Sequence, residues 1–367
     1  MAKRYGKAYV GTSGWLYKHW KGTFYPPGLR VADEFSFYSM FFRTVELNNP
    51  FYRLPSKETF EGWRRNSPPD FIYVVKASRF ITHMKKLGDT REALEIFLHN
   101  CNGLEDKLGP ILFQLPPGWQ LNIERLREFL EQLPRGYRFA FEFRNPTWYT
   151  EEVYALLQQY NCAFCIYQLA GHMSPVKVTA DWVYLRLHGP TRNKYQGSYD
   201  FATLTRWAGN ARDWMRSGKD VYIYFDNDDS GYAAFNAQVI EMMLNKDEPI
   251  TDGEAKILPK LAEAIKRRSS VIVTYGEKKQ ELIPYLVALK RKGNGALFCY
   301  AFNPAEKRAG VFLLQRMKAA GFRITGKEET VLRVEAGMVH GEHEDWRLVY
   351  RTVLKEKPPV KRKANRG

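Results

Sequence analysis

The stretch DWVYLRLHGP, residues Asp181–Pro190, decides how the rest of this chain is interpreted. Its apolar run Trp182–Leu187 has the composition of a strand buried on both faces, and it stops abruptly at His188 and Gly189. Residues two apart on a strand share a face, so Arg186 and His188 point the same way. The stretch therefore predicts a parallel-sheet strand with polar chemistry at its carboxyl end.

Similar runs of β-branched and aromatic residues recur along the first two thirds of the chain. The eight predicted strands cover residues 8–13, 44–48, 71–77, 110–115, 138–143, 162–168, 182–188 and 220–226. Several intervening segments have helical periodicity, namely 90–98, 123–133, 151–160 and 204–217, and a final helix is predicted at 233–244. Eight strand–helix repeats predict an α/β fold, a (β/α)8 TIM-type barrel over residues 1–246, rather than a doubly wound sheet.

Active sites of such barrels form at the carboxyl ends of the strands. Applied to this sequence, that rule gives four candidate catalytic residues, which are Glu46, Glu142, His188 and Asp226. The candidate substrate-binding residues are Thr12, Ser13, Trp15, Asn48, Tyr52, Lys76, His83, Gln114, Arg144, Trp148, Arg186, Tyr195, Tyr199 and Asn227.

The candidate residues allow three interpretations. The carboxylates, with His188 and His83, could hold a divalent metal that activates water for phosphoryl displacement. Without a metal, a glutamate would act as general base, His188 as general acid or base, and the lysine and arginines as clamps for an anion. Alternatively, Glu142–Arg144 and Arg186–His188 are structural pairs that hold the barrel top. No cofactor is specified by these residues.

Aromatic residues are frequent in the predicted loops, and Trp15, Tyr52, Trp148, Tyr195 and Tyr199 are the candidates to stack on bases or sugars. The alternative is that these rings pack in the core or in a lid. The Gly-rich turn that contains Thr12 and Ser13 offers backbone amides to a phosphate.

The C-terminal third has a different composition. Residues 247–253 are polar and predict a linker, and a helix is expected over 254–268. Strand-like segments at 271–275, 281–288, 296–302, 310–315 and 331–335 predict a small, mostly β domain of the Sm or SH3 type over 254–354. Residues 355–367, with six basic residues and one acidic residue, predict a disordered basic tail.

The formal net charge of +16 favours a polyanionic partner, because clustered lysines and arginines release counterions from phosphates. Residues 247–367 carry most of the excess, with 25 Lys and Arg against 15 Asp and Glu. The N-terminus has no apolar signal segment, and no apolar run is long enough to span a membrane. Four dispersed cysteines do not suggest a disulfide framework. We expect a cytoplasmic protein without membrane association.

Seven motifs in order resemble the domain-of-unknown-function 72 family, also called YecE-like. They are GTSGWLYKHWKGTFYP (11–26), VELNNPFYRLP (45–55), FIYVVKASRFITH (71–83), ILFQLPP (111–117), FEFRNPTW (141–148), VYLRLHGP (183–190) and VYIYFDNDDSGYAAFNA (221–237). The resemblance implies a TIM-type barrel and suggests a nuclease-like or nucleic-acid-binding role. Residues 254–335 resemble a WYL domain through Tyr275, Pro284, Ala301 and Arg316, although Leu297-Phe298-Cys299 replaces its signature tripeptide.

Three functional hypotheses follow. The first is a nucleic-acid-directed phosphodiesterase, a hydrolase of phosphoester bonds, or a nucleic-acid-binding protein. The second is an enzyme acting on a small phosphorylated or carboxylated metabolite, such as a sugar. The third is a non-catalytic ligand-binding module. Substrate identity, a bound metal, oligomeric state, protein partners and the choice between DNA and RNA are not determined by the sequence.

Overall fold

The computed structural model describes residues 4–25, 28–245, 251–267, 269–290, 297–305, 308–318, 324–327 and 346–351. The described residues form two compact units. One contains the described residues among 1–17 and 33–245, and the other contains those among 18–32 and 246–367. Residues 18–32 had been predicted as part of the barrel domain. They group with the second unit, and their Trp20, Phe24 and Tyr25 rings are buried against one another.

Eight parallel strands form a nearly closed barrel, which confirms the predicted fold class. Around the barrel they follow the order β1 (Ala8–Thr12), β9 (Asp220–Phe225), β8 (Trp182–Leu187), β6 (Ala163–Leu169), β5 (Phe139–Phe143), β4 (Leu108–Leu115), β3 (Ile72–Lys76) and β2 (Thr44–Leu47). A bridge between Ser13 and Glu46 joins the two end strands. The short β7 (His172–Met173) pairs with β6.

Eight helices accompany these strands in the described part of the barrel, and the last five of them were predicted from the sequence. They are α1 (Glu34–Phe41), α2 (Asn49–Tyr52), α3 (Lys57–Arg65), α4 (Arg91–Cys101), α5 (Ile123–Glu131), α6 (Glu151–Gln159), α7 (Phe201–Arg216) and α8 (Tyr232–Asn245). Three of them begin at side chains that accept a hydrogen bond from the first turn, which are Asn122, Thr150 and Asp200. None of the described helices combines the length and the hydropathy that membrane crossing requires.

Side chains fill the barrel interior. Tyr184, Tyr222 and Tyr224 are buried there with small and apolar residues from the other strands. Tyr9 stacks on Tyr222 with ring centroids 4.6 Å apart. The barrel is therefore a packed core and not a channel, which leaves its carboxyl-end mouth as the place for a site.

The second unit contains one long helix and an antiparallel sheet. Helix α9 (Asp252–Arg267) begins inside the predicted linker, because Thr251 and Glu254 form a reciprocal capping pair. The strands are β10 (Ser269–Tyr275), β11 (Lys278–Lys290), β12 (Leu297–Asn303), β13 (Arg308–Leu313), β14 (Met317–Lys318), β15 (Ile324–Lys327) and β16 (Trp346–Arg351). Four of the five predicted strands are confirmed. The predicted strand at 331–335 and the predicted tail lie outside the described residues.

Candidate functional site

Arg186, near the end of β8, is the centre of the barrel mouth. Its Nε and Nη2 atoms donate to Glu46 over 2.9 and 2.6 Å, and its Nη1 atom donates to Glu142 over 2.7 Å. Only 1% of the arginine side chain is exposed, and both glutamates are fully buried. A guanidinium suits this position because its planar fork matches two carboxylates at once.

Both glutamates are saturated with further donors. Glu46 accepts hydrogen bonds from the hydroxyls of Ser13 and Tyr184. Glu142 accepts from Arg144 Nε as well as from Arg186. Burial opposes ionisation of Glu142, but the two arginines outweigh it and hold the pKa of this carboxyl well below its usual value. The predicted role of these glutamates as general bases conflicts with their burial and their full set of partners.

His188 and Asp226 form a second pair at the mouth. The His188 Nδ1 atom lies 2.9 Å from Asp226 Oδ2, and its Nε2 atom lies 3.2 Å from Arg144 Nη2 and 3.3 Å from Arg186 Nη1. Guanidinium nitrogens only donate, so we assign the proton to Nδ1 and the acceptor role to Nε2. His188 is buried with both ring nitrogens engaged, which argues against its predicted role as general acid or base.

Asp226 is the most accessible carboxylate of this group, with 14% of its side chain exposed. Burial opposes its ionisation. The hydrogen bond from His188, together with the charges of Arg186 and Lys76, nevertheless lowers the pKa of Asp226. Asp226 is thus an ionised acceptor at the surface of the mouth.

Two cations of the mouth retain unused donors. Lys76, the last residue of β3, is half-buried, and its Nζ atom lies 4.3 Å from the ring centroid of Phe51. Within the described residues this ammonium has no hydrogen bond. Arg144 uses Nε and Nη2 and stacks 4.9 Å from the ring centroid of Tyr167, whereas its Nη1 atom has no hydrogen-bond partner in the described part of the chain.

Burial and the charge of Arg186 lower the pKa of Lys76 to about 8, against the opposing effects of Glu142, Glu46 and Asp226. His83, on the π-helix Phe80–Met84, meets the edge of the Phe51 ring with centroids 5.0 Å apart. Burial and the charges of Lys76 and Arg144 lower the pKa of His83, so its imidazole is neutral at pH 7. Lys76, Phe51, His83 and Arg144 thus form one cluster at the mouth.

Tyr195 and Tyr199 belong to the loop that follows β8. Tyr199 is buried, and its hydroxyl accepts from the Gly189 amide over 2.9 Å. Gly189 has a φ of +111°, and a Cβ atom there would lie 2.3 Å from the Gln196 carbonyl oxygen, so only glycine fits. Tyr195 is 40% exposed and presents its ring edge to His188. Tyr195 therefore faces solvent beside the site, whereas Tyr199 holds the loop.

Several predicted binding residues serve the fold instead. Trp148 is fully buried, and its indole donates to the Trp119 carbonyl over 2.8 Å, so it is not part of a ligand wall. The Thr12 hydroxyl donates to the Gly14 carbonyl, and the Gln114 amide donates to the Leu115 carbonyl. Asn227 is buried and donates to the carbonyl of Gly197 and to Asn236.

The remaining predicted residues lie around the outer part of the barrel top. Trp15 is half-buried and packs on Phe35 and Trp63. Asn48 is half-buried at the start of α2 without capping that helix, and Tyr52 is 70% exposed. Asn48 and Tyr52 have no contact with the Arg186 network among the contacts of the described residues.

Sequence reasoning missed Tyr184 and Phe51. Tyr184 lies two residues before Arg186 on β8 and so shares its face, and this period-two relation was available in the sequence. Phe51 follows β2 in α2, but nothing in its local sequence indicates that a lysine from β3 lies over its ring.

The site does not fit a divalent metal. Within the described residues no group of three or more His, Cys, Asp and Glu side chains is arranged to hold one. The physical reason is that guanidinium, hydroxyl and imidazole donors already occupy the carboxylates that a metal would need.

Comparison with known proteins agrees with this architecture. Residues 9–261 match the family described as "Protein of unknown function DUF72". The UPF0759 protein YunF of Bacillus subtilis is 26% identical over 274 residues, covering 64% of this chain and 94% of that protein. The crystal structure of a DUF72 family protein from Thermotoga maritima is 31% identical, with a TM-score of 0.60, covering 65% of this chain and all of that one.

A DUF72 family protein of Enterococcus faecalis is 19% identical with a TM-score of 0.56, covering 65% of this chain and 95% of that one, and this likeness supports the fold alone. The resemblance of residues 254–335 to a WYL domain is not shown by these comparisons. The family match extends over more than half of the sequence and includes every strand of the barrel except the first residue of β1. On this evidence the chain belongs to the DUF72 family.

Proposed function

We propose that the barrel mouth binds a small metabolite that carries a phosphate or carboxylate group. The observation that supports this most directly is the pair of unused cationic donors at the carboxyl end of the barrel, Arg144 Nη1 and Lys76 Nζ, whose charges both act on His83. A partly buried cation without a hydrogen-bonded partner is costly unless a ligand completes it.

The buried network supports the same proposal. Arg186 neutralises Glu46 and Glu142, so these carboxylates are already committed within the protein. Glu142 and Tyr167 hold the Arg144 side chain from two sides. Because the side chain is already ordered, binding of a ligand at Nη1 costs little further conformational entropy. Asp226 is placed to accept a hydrogen bond from a ligand hydroxyl. The arrangement suits a metabolite with one anionic end and one polar end.

The test is binding of inorganic phosphate, measured by calorimetry at fixed ionic strength, followed by a panel of phosphorylated and carboxylated metabolites. We expect Arg144→Gln to weaken phosphate binding by about tenfold or more, since a charge-assisted hydrogen bond is lost. Arg127→Gln is the matched control, because Arg127 pairs with Glu124 on the outer helix α5.

Arg144→Lys separates charge from geometry, because lysine keeps the positive charge but not the planar fork. Equal affinity of the wild type, Arg144→Gln and Arg127→Gln would contradict the proposal, and so would failure of every anion in the panel to bind.

A second candidate is nucleic-acid binding with phosphodiester cleavage, favoured by the net charge of +16. The test is a salt titration of labelled single-stranded and duplex DNA and RNA with the full chain and Mg²⁺, with gels also read for cleavage. Replacing the six basic residues of 355–367 by glutamine identifies binding by that segment. Binding that survives this replacement but weakens in Arg144→Gln would support a polymer at the mouth, and binding lost only in the replacement would contradict it.

A further inference from the structure

We infer that Lys76 is a nucleophilic lysine that forms an imine with the carbonyl group of a small anionic ligand. The inference rests on the proposed anion site and extends it, because it assigns the ligand a carbonyl carbon next to its anionic group. Three independent features of the described residues carry it, which are the placement of the amine, its charged surroundings and a neutral base beside it.

The placement of the amine leaves it available. Lys76 ends β3 at the barrel mouth, where the carboxyl ends of the strands converge. Its Nζ atom contacts the Phe51 ring and has no hydrogen bond or ion pair with any described residue, although three carboxylates lie in the same network. A lysine placed for structure alone would use its donors within the protein. Lys107, for comparison, is held by three hydrogen bonds to Arg64 and Ser67.

The surroundings favour the neutral, nucleophilic amine. Burial and the Arg186 guanidinium both disfavour the ammonium, and this combination of desolvation and a neighbouring cation activates lysines in enzymes. Glu142, Glu46 and Asp226 act in the opposite direction, but Arg186 and the other donors of the network engage all three. A pKa of about 8 leaves roughly two-hundredfold more neutral amine at pH 7 than an ordinary lysine has.

His83 supplies the proton transfers. Its Nδ1 atom is 2.9 Å from the Thr82 hydroxyl, and its Nε2 atom has no hydrogen-bond partner among the described side chains. The neutral imidazole shares the Phe51 ring with Lys76, and the charges of Lys76 and Arg144 keep it unprotonated.

The reaction balances without a further reagent. His83 Nε2 first takes one proton from the Lys76 ammonium. The freed nitrogen lone pair attacks the carbonyl carbon and forms the N–C bond as the C=O π bond breaks, and His83 returns that proton to the carbonyl oxygen. His83 Nε2 accepts a proton from the new ammonium and returns it to the hydroxyl, which leaves as water when the C=N bond forms. The protonated imine retains the positive charge beside Asp226, and the Arg144 edge binds the anionic group of the ligand.

The test uses pyridoxal 5′-phosphate, a phosphorylated aldehyde, with the full chain at pH 7 and borohydride reduction of the imine. Peptide mapping by mass spectrometry then compares Lys76 with Lys177, an exposed lysine paired with Glu151. We expect Lys76 to be modified at least about tenfold faster, since its neutral fraction is larger. In Arg144→Gln the rate at Lys76 should fall severalfold, because the phosphate loses its donor, and His83→Gln should slow modification without weakening phosphate binding.

The outcomes separate this inference from the proposed function. If phosphate binds in an Arg144-dependent way but Lys76 is modified no faster than Lys177, the imine is wrong and the anion site stands. If phosphate does not bind and Lys76 is not selectively modified, both are wrong. Selective modification of Lys76 that is unchanged in Arg144→Gln supports the nucleophile and contradicts the anion site. Lys76→Met is the negative control for the mass spectrometry, because it has no amine at position 76 to be modified.

Discussion

The barrel has an arginine–carboxylate network at each end, and the two networks differ in burial. At the amino end, Arg138 and Arg4 donate to Asp220, and 36% and 64% of their side chains are exposed. At the mouth, Arg186 binds Glu46 and Glu142, and at most 1% of any of these side chains is exposed.

The difference in burial indicates that the two networks serve different purposes. Water screens the amino-end network, so it contributes a modest amount to stability. The mouth network is desolvated, and each charge there depends on its partner. Groups at the amino end of a TIM-type barrel serve stability, whereas groups at the carboxyl end are positioned for ligands and chemistry. Lys76 and Arg144 lie at the mouth, where Lys76 Nζ and Arg144 Nη1 have no hydrogen-bond partner among the described residues.

The largest effect is expected for Arg186→Met. This change leaves Glu46 and Glu142 buried without their guanidinium, and we expect the free energy of unfolding to fall by about 3–5 kcal/mol at pH 7. Urea denaturation measures it. The loss should be smaller at pH 5, where the stranded glutamates can take up protons.

A variant with Arg186→Met and Glu46→Gln, in which Glu142 keeps Arg144, is the companion to that measurement. Removing the charges together should recover much of the loss, because no carboxylate is then left unpaired. If Arg186→Met lowered the free energy of unfolding only as little as the replacement of an exposed arginine does, the two networks would not differ as described.

Lys76→Met should stabilise the protein by about 1–2 kcal/mol at pH 7, because it removes a poorly solvated cation. The folded-state pKa of about 8 lies below the ordinary lysine value. The penalty is therefore fully present below pH 8, declines as pH rises towards 10.5, and is absent above that value. Thermal unfolding from pH 7 to 10.5 checks whether the advantage of the variant disappears over this range.

Lys177→Met is the control for Lys76→Met, since Lys177 is exposed. A stabilisation of the same size in both variants, or one that does not depend on pH, would show that Lys76 carries no such penalty. Loss of imine formation together with a gain in stability would mark Lys76 as a residue retained for function.

The smallest effect is expected for Arg138→Met at the amino end, about 0.5–1 kcal/mol. Asp220 keeps hydrogen bonds from Arg4 and from the Lys7 amide in this variant. The loss should shrink in high salt, because exposed charges are screened. Urea denaturation at low and high salt measures this loss. A salt-independent loss of several kcal/mol would show that the amino-end network contributes to stability as a desolvated network does.

Most of the barrel was predictable from the sequence. All eight strands and five of the barrel helices were predicted near their observed bounds, because buried parallel strands are continuous apolar runs and surface helices have a 3.6-residue period. The start of α9 was placed late, although Thr251 and Glu254 already have the spacing of a capping box. Residues 18–32 could not be assigned to the second unit, because local pattern does not reveal where an aromatic cluster packs.

The site was predicted in part. The rule of carboxyl strand ends brought Glu46, Glu142, Arg144, Arg186 and His188 together, and the structure places them within one hydrogen-bond network. Their roles were not predictable. The same rule included Trp148 and Asn227, whose side chains are buried in the fold.

The sequence by itself determined where the strands end and which of their side chains share a face, since both follow from the local pattern of apolar and polar residues. Only the tertiary structure decided which charges neutralise one another and which remain available. Arg186 meets glutamates from β2 and β5, 140 and 44 residues away along the chain. Distance and burial set the strength of such pairs, and neither quantity is encoded in the spacing of residues along a strand. For this reason the amine of Lys76 has no hydrogen-bond partner among the described residues, whereas the carboxylates of the predicted catalytic set are all engaged.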